Sequence, residues 1–506
     1  MKNYVIAKTK NGNKYIHDIK LKKTIYCPPL LYHIIEEIEK GGDIDKLLNN
    51  DGETTTIGEN ESVLKSEIDY YYRKYLLMKD NGFFSKTNPK ESQFALLNPE
   101  MIKQSIANSP ILTFETTDRC NLSCKYCGYG KFYSNFDRRE NKDINTESAT
   151  CLLRYLQKLW NSSLNFSHDS VKYIGFYGGE PLLNFSFIQQ IIKFMKTFKL
   201  KHNRICYSIT TNGLLLDKYM DFLVENDFNI LISLDGDEKN NGYRIFKNGK
   251  PAYQAVLKNI SALKKKHPEY FEKKVYFNSV VHNKNSVNEI YEYFKEHFDK
   301  FPSISPLNTT GVDINKKKEF WNTYSNITES LYNSEDYSNI EKEMFINLPN
   351  IQSLTTFLHH ETDLSFKNYN EAFYNQDNAK TYPTGTCMPF SKKIFMTVNG
   401  KIMVCERIGH EHAFGMVSPE AVSINYDSIS DFYNRQFQKL EKQCNACYNA
   451  NSCIQCIFHL SLSDENPVCP GFMNREDYSK MVSSYIDYLE QRPHLYNKIF
   501  KEVWVH

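Results

Sequence analysis

The sequence predicts an α/β protein: a partial (β/α)6, TIM-like barrel with a winged-helix-like module before it and a cysteine-rich domain after it. Three observations predict this. At 506 residues the chain is too long for one core. From Ile111 to Pro306, strand-like runs alternate with amphipathic helices, the order that builds a parallel sheet. Ten of the thirteen cysteines gather just after the first of those strands and again from Cys387 to Cys469.

The N-terminal module is expected over 1–100. Tyr4–Thr9, Lys14–Ile19 and Thr24–Cys27 read as strands, and Pro28-Pro29 opens a helix carrying Leu31, Ile34, Ile35 and Ile38. Short helices follow around Ile44 and from Leu64 to Leu76, closed by Gly82. Three strands and then three helices suit a winged-helix-like fold, with a capping or dimerising domain as the alternative. The barrel is expected over 108–310, with strands at Ile111–Thr116, Val171–Tyr177, Ile205–Thr211, Phe228–Leu234, Lys274–Val281 and Pro302–Pro306. Helices are expected at Thr146–Trp160, Phe185–Phe198, Ala252–Lys265 and Val287–Phe298. Cys120, Gly178, Asn212 and Asp235 fall at or just past strand ends, where such barrels keep their chemistry. A polar bridging segment (311–384), the cysteine-rich domain (385–475) and a C-terminal helix (476–506) complete the chain.

Composition narrows the partners. Lys plus Arg (62) nearly balances Asp plus Glu (60), so no field draws nucleic acid. No signal peptide and no run of eighteen apolar residues is present, so no membrane is expected and the cytoplasm is the expected location. Cytosolic thiols stay reduced, which favours metal or redox roles for the cysteines.

Cys120-Asn-Leu-Ser-Cys124-Lys-Tyr-Cys127 places three thiols inside eight residues. A helix cannot converge all three, whereas a loop can; three thiolates then hold three irons of a 4Fe–4S cube and leave the fourth open. A zinc site completed by a distant Cys or His is the alternative. The C-x3-C-x-aromatic-C pattern, with Tyr126 before the last cysteine, resembles the signature of the radical S-adenosylmethionine (SAM) superfamily. The resemblance implies that catalytic Cys120, Cys124 and Cys127 hold the cluster, that SAM chelates its open iron, and that one electron yields a 5′-deoxyadenosyl radical that abstracts a substrate hydrogen. It also implies SAM contacts for Tyr126 and for Gly178-Gly179-Glu180-Pro181. There a bare backbone admits SAM, and Glu180 accepts from its ammonium. Asn212 would lie near the ribose, with a plain turn as the alternative. Ser233 and Arg244 would hold SAM's polar groups; their spacing is slightly shorter than the family's, so a surface role for Arg244 stays open.

Cys387, Gly400, Cys405, Cys444-x2-Cys447-x5-Cys453-x2-Cys456 and Cys469 resemble the seven-cysteine SPASM domain, which carries two auxiliary clusters in many peptide-modifying relatives. Three 4Fe–4S clusters are thereby implied. Carried over residue by residue, Cys387, Cys405 and Cys456 hold the first auxiliary cluster, and Cys444, Cys447, Cys453 and Cys469 the second. The shortened spacing before Cys456 leaves its place open. The missing fourth ligand of the first cluster is a substrate thiolate or one of His410, His412 and His459. Two zinc ribbons are the alternative for the whole segment. Cys27, Cys151 and Cys206 read as small hydrophobes.

The resemblance implies a maturase that binds a ribosomal precursor peptide by its leader, added as a strand at a sheet edge. The reaction would install a thioether or carbon–carbon cross-link, with flavodoxin or ferredoxin as electron donor. The alternatives are an anaerobic sulfatase-maturating enzyme, which forms formylglycine, and a catalytically silent leader-binding protein.

Overall fold

The computed structural model describes residues 1–49, 52–57, 61–86, 95–345, 348–362, 384–460 and 468–502. The chain opens with an antiparallel meander of β1 (Tyr4–Lys8), β2 (Lys14–Asp18) and β3 (Lys23–Tyr26). Helices α1 (Pro29–Glu39) and α2 (Ile44–Leu48), a hairpin of β4 (Thr54–Ile57) and β5 (Glu61–Leu64), and helix α3 (Lys65–Asp80) follow. Ile16, Leu31, Ile34, Ile35 and Ile68 form a core of their own. The hairpin corrects the expected order of three strands and then three helices. Its first strand is the β-branched run Thr54-Thr55-Thr56-Ile57, which favours extended backbone.

The module also ends earlier than expected. Helix α4 (Pro99–Asn108) is capped by Asn98, whose side chain accepts from the Met101 N–H at 2.9 Å. Its Ile102 and Ile106 enter the main core, so α4 belongs with the barrel.

The six expected barrel strands are β6 (Ile111–Thr117), β7 (Val171–Gly178), β8 (Arg204–Thr211), β9 (Asn229–Ser233), β10 (Val275–Val280) and β11 (Ser303–Ser305). They lie side by side in sequence order, every pair parallel. The crossover helices are α5 (Thr146–Trp160), α6 (Phe185–Met195), α7 (Leu216–Glu225), α8 (Tyr253–Lys266), α9 (Pro268–Lys274) and α10 (Val287–Phe298). Helix α5 shows how they seat: Asn145 caps it through the Ser148 N–H at 2.8 Å, and Ala149, Leu152, Leu153, Leu156 and Trp160 face the sheet. Each fully buried leucine of such a face contributes about 2 kcal/mol. Helices α7 and α9 were not expected.

Helices α11 (Lys317–Trp321), α12 (Ile327–Tyr332), α13 (Tyr337–Glu343) and α14 (Pro349–His360) occupy the bridging segment, whose positions 363–383 lie outside the described residues. The cysteine-rich segment then adds to the barrel sheet. Strand β12 (Ile394–Met396) pairs parallel to β6 and is extended antiparallel by β13 (Lys401–Met403), β14 (Gly415–Val417) and β15 (Val422–Ile424), giving ten strands in one sheet. A 21-residue helix, α15 (Tyr426–Ala446), leads into the last cysteines. The expected single C-terminal helix is two, α16 (Arg475–Gln491) and α17 (His494–Glu502). Pro493 separates them because it lacks the N–H needed to continue.

Helix α16 returns to the N-terminal module and closes one edge of its sheet. Arg475 Nε donates to the Tyr4 carbonyl (3.2 Å) and Ser479 Oγ to the Ile6 carbonyl (2.6 Å). The Lys8 N–H donates to Ser483 Oγ (2.9 Å) and the Lys10 N–H to Asp487 (2.8 Å). Every fourth residue of a helix rises about 6 Å and every second residue of a strand about 6.7 Å, so the two rows stay in step for four rungs. Among the described residues no helix is long and apolar enough to cross a membrane.

Candidate functional site

The cysteine loop leaves β6 at the C-terminal mouth of the barrel and is held from two sides. On one side, the Ser123 N–H donates to the Ile245 carbonyl (2.8 Å), the Lys125 N–H to the Tyr243 carbonyl (3.2 Å), and Leu122 bridges Phe246. On the other, the Gly179 N–H donates to the Thr117 carbonyl and the Glu180 N–H to the Arg119 carbonyl, each at 2.8 Å. Gly178 adopts φ +127°, and a Cβ on Gly179 would stand 1.9 Å from the Arg119 carbonyl oxygen. The space a side chain would take at these glycines is therefore filled by the chain's own backbone leading into Cys120. Gly179→Ala should cost roughly 3 kcal/mol or more. A urea melt of the variant checks this, and an unchanged midpoint would disprove the close approach.

The three thiols lie within electrostatic reach of one another. Cys120 and Cys124 feel Cys127 and each other as charges, and burial pushes the Cys124 thiol up to about 12 and raises Cys120 too. The Leu122 N–H points at Cys120 Sγ from 3.4 Å. The Asn212 amide lies 3.8 Å from the same sulfur and 2.7 Å from the Asn121 oxygen. Glu180 is fully buried and accepts from Thr211 Oγ1 and the Asn212 N–H, each at 2.8 Å, and from the Leu182 N–H at 3.1 Å. Burial still lifts its carboxyl to about 7.

Asp235, expected at the strand end, is a hub whose partners the sequence did not reveal. Its buried carboxylate takes Arg244 side-on, Nε at 3.0 Å and Nη2 at 3.2 Å, and also accepts from the Val280 N–H (3.0 Å) and from the Tyr126 hydroxyl. His282 stands 3.7 Å away. Burial alone would raise the Asp235 pKa, but Arg244 and then His282 outweigh it and hold the carboxyl at about 2. Arg244 is thus buried and paired, not a surface arginine, and Tyr126 is a strut joining the cysteine loop to strand β9. Ser233 ends that strand beside Asn278.

The later cysteines fall into two groups. Cys444 feels the charges of Cys453, Cys447 and Cys469, while Cys456, Cys387 and Cys405 each act as charges on the buried Tyr433. Backbone N–H groups point at the sulfurs of Cys405, Cys447 and Cys453, each from 3.4 Å. His410 is not among them: it packs on Tyr129 and Phe136 of the barrel loop. His412 packs on Phe458, and the His459 N–H donates to the Cys456 carbonyl. Among the described residues no three His, Cys, Asp or Glu side chains close around a single ion. A cube asks for less closure, since each of its irons takes one thiolate. The large groove of about 850 Å³ lies elsewhere, on the outer side of the β10–α10 turn against Asn285, Trp321 and Tyr324.

Comparison with known proteins follows this geometry. Residues 114–296 match the model of the radical SAM superfamily. The chain is 33% identical over 221 residues to the uncharacterized protein MJ0907 of Methanocaldococcus jannaschii, covering 43% of this chain and 68% of that one. It is 30% identical over 202 residues to the cysteine-type anaerobic sulfatase-maturating enzyme of Clostridium novyi, covering 38% and 50%. It is 22% identical over 348 residues to the radical SAM cyclopropyl synthase TigE of Paramaledivibacter caminithermalis, covering 67% and 64%. The chain thus spans between half and two thirds of the length of these last two relatives. Among solved structures, native anSMEcpe with bound AdoMet and Kp18Cys peptide matches at a TM-score of 0.50 and 19% identity, over 77% of this chain and 99% of that chain, a likeness of fold. With the family's model lying over the strands that carry the cysteine loop and the Gly-Gly-Glu turn, the chain belongs to the radical SAM superfamily, whose chemistry uses SAM and an iron–sulfur cluster.

Proposed function

We propose that this chain is a radical SAM maturase that installs a thioether or carbon–carbon cross-link in a ribosomally made precursor peptide. The observation that carries the reading is the N-terminal sheet. One of its edges is sealed by α16, while β3 at the other edge is exposed. The Cys27 N–H bonds inward to the Lys14 carbonyl, so by alternation Thr24 and Tyr26 turn their backbone groups outward. An extended leader can add there as a fourth strand. Exposed Tyr26, Tyr70 and Leu77 on β3 and α3 supply apolar contact. The likeness to TigE, named as a cyclopropyl synthase, supports bond-forming chemistry.

In this reading Cys120, Cys124 and Cys127 hold the SAM-binding 4Fe–4S cluster. Cys387, Cys405 and Cys456 hold one auxiliary cluster, and Cys444, Cys447, Cys453 and Cys469 the other. The donor sets fit: soft thiolates suit iron–sulfur clusters, and N–H groups aimed at the sulfurs stabilise them. Bound together, cluster and SAM supply a carbon radical that abstracts hydrogen. The chain's own part is placement. Tyr126 and Asp235 fix the thiol loop, Asn212 lies against Cys120, and Glu180 keeps about one of its four acceptor sites for the SAM ammonium. Ser233 and Arg244 would face SAM's remaining polar groups. The bridging and cysteine-rich segments would seat the peptide, and a small redox protein such as flavodoxin or ferredoxin would deliver electrons.

Anoxic co-expression with each short open reading frame that neighbours the gene tests the reading by mass spectrometry. A peptide lighter by two hydrogens is expected, and Tyr26→Pro, which removes an outward N–H and is tolerated on an edge strand, should lower the modified fraction roughly ten-fold. A peptide of unchanged mass, beside a sulfatase peptide converted to formylglycine, would replace this reading with sulfatase maturation.

A further inference from the structure

The loop after the first cysteines carries a second arginine, half-buried, whose position differs from that of Arg244. Arg139 lies over the Tyr129 ring, 4.4 Å from its centroid. Its Nε and Nη2, the edge that grips a carboxylate side-on, are shielded from solvent and have no hydrogen-bond partner among the described residues. By contrast, Arg244 spends the same edge on Asp235. A shielded guanidinium edge without a hydrogen-bond partner is costly unless something supplies one.

Two further groups belong to the cluster around the Tyr129 ring. His410 packs on Tyr129, with ring centroids 6.3 Å apart. Its Nδ1 lies 3.2 Å from the Asp137 N–H and 3.4 Å from Asp137 Oδ2; with the N–H as its partner, Nδ1 accepts and the proton sits on Nε2, which has no partner among the described residues. The Tyr129 hydroxyl faces Glu115 without reaching hydrogen-bond geometry. Burial pushes the Glu115 carboxyl up to about 7, so near neutral pH it does not fully balance Arg139. These donors come from the barrel loop and from the C-terminal segment, and Arg139 is close enough to Cys120 to act on its charge.

We infer that Arg139, the His410 Nε2–H and the Tyr129 hydroxyl form a carboxylate-binding subsite between the first cysteine loop and the C-terminal segment. The radical-site reading sets only its location. The carboxylate belongs either to an acidic side chain of the peptide or to SAM; the chemistry of capture is the same.

The test uses the full chain, anoxically reconstituted, as wild type and as Arg139→Met. Without ligand, Arg139→Met should melt at or above the wild-type temperature, because a shielded guanidinium edge without a hydrogen-bond partner is gone. A melting temperature several degrees lower would show an internal partner and overturn the inference. N-acetylglutamate, but not N-acetylglutamine, should raise the melting temperature of the wild type and leave Arg139→Met unmoved, which identifies a peptide acid. If N-acetylglutamate has no effect and SAM binding weakens roughly ten- to hundred-fold in Arg139→Met, the carboxylate is SAM's. No change in either measurement overturns the subsite. Iron content of the wild type is read separately: protein that takes up no iron sinks the radical-site reading and leaves the N-acetylglutamate comparison intact.

Discussion

Changing Cys120, Cys124 and Cys127 together to alanine should remove roughly four irons per chain and abolish SAM cleavage. The fold should survive. The loop is pinned by backbone bonds from Ser123 and Lys125 to the segment after β9 and by the Tyr126 hydroxyl on Asp235, none of which involves a thiol. Burial raises the Cys120 and Cys124 thiols above their ordinary range, so the loop gains stability from thiolates only when a metal takes the protons' place. Iron analysis and anoxic product assays on the reconstituted variant check this, with circular dichroism as the control for folding. Full iron and full SAM cleavage in the triple variant would remove these cysteines from the reaction. Iron that remains in the variant would be that of Cys387 to Cys469, and its loss in a companion variant of those residues would separate the two sets.

Asp235→Ala should be among the most damaging single changes, at about 3–5 kcal/mol, because it strands the Arg244 guanidinium in a buried site. It also frees Tyr126, so SAM cleavage should fall beyond what lost stability explains. The double change of Asp235→Leu with Arg244→Met should recover much of the loss, since both charges leave together. Urea melts measure it, and an Asp235→Ala variant as stable as wild type would rule out the hub. The pH dependence has a definite sign. The folded carboxyl is held at about 2, below its ordinary 3.8, so the contribution of the pair is whole above pH 3.8 and is lost as pH falls toward 2.

How much of this the sequence revealed depended on the range of the interaction. Helices α5 and α10 fall on their expected bounds because apolar residues recur at three- and four-residue steps and Asn145 and Ser286 mark their starts. The barrel strands were legible as apolar runs separated by those helices. Strands β12 to β15 were not: each has three residues, too few for a period, and β12 finds its partner β6 some 280 positions away in the chain. The site divides in the same way. Three cysteines in one loop are a local pattern, whereas Asp235, Tyr126, Arg244 and His282 meet only after three separate βα turns fold together. The orphaned edge of Arg139 left no trace in the sequence, since a missing partner has no local signature.

The pairing of β12 with β6 also limits how the protein can be cut down. Ile394, Phe395 and Met396 lie along Leu112, Thr113 and Phe114, so β6 is an interior strand although it is the first of the barrel. A fragment ending before residue 385 would leave that strand's amide groups bare along an apolar row, a template on which copies of the fragment can stack. Efforts to isolate the barrel as a minimal catalytic unit should therefore yield aggregates, and soluble material should require the chain through its cysteine-rich end.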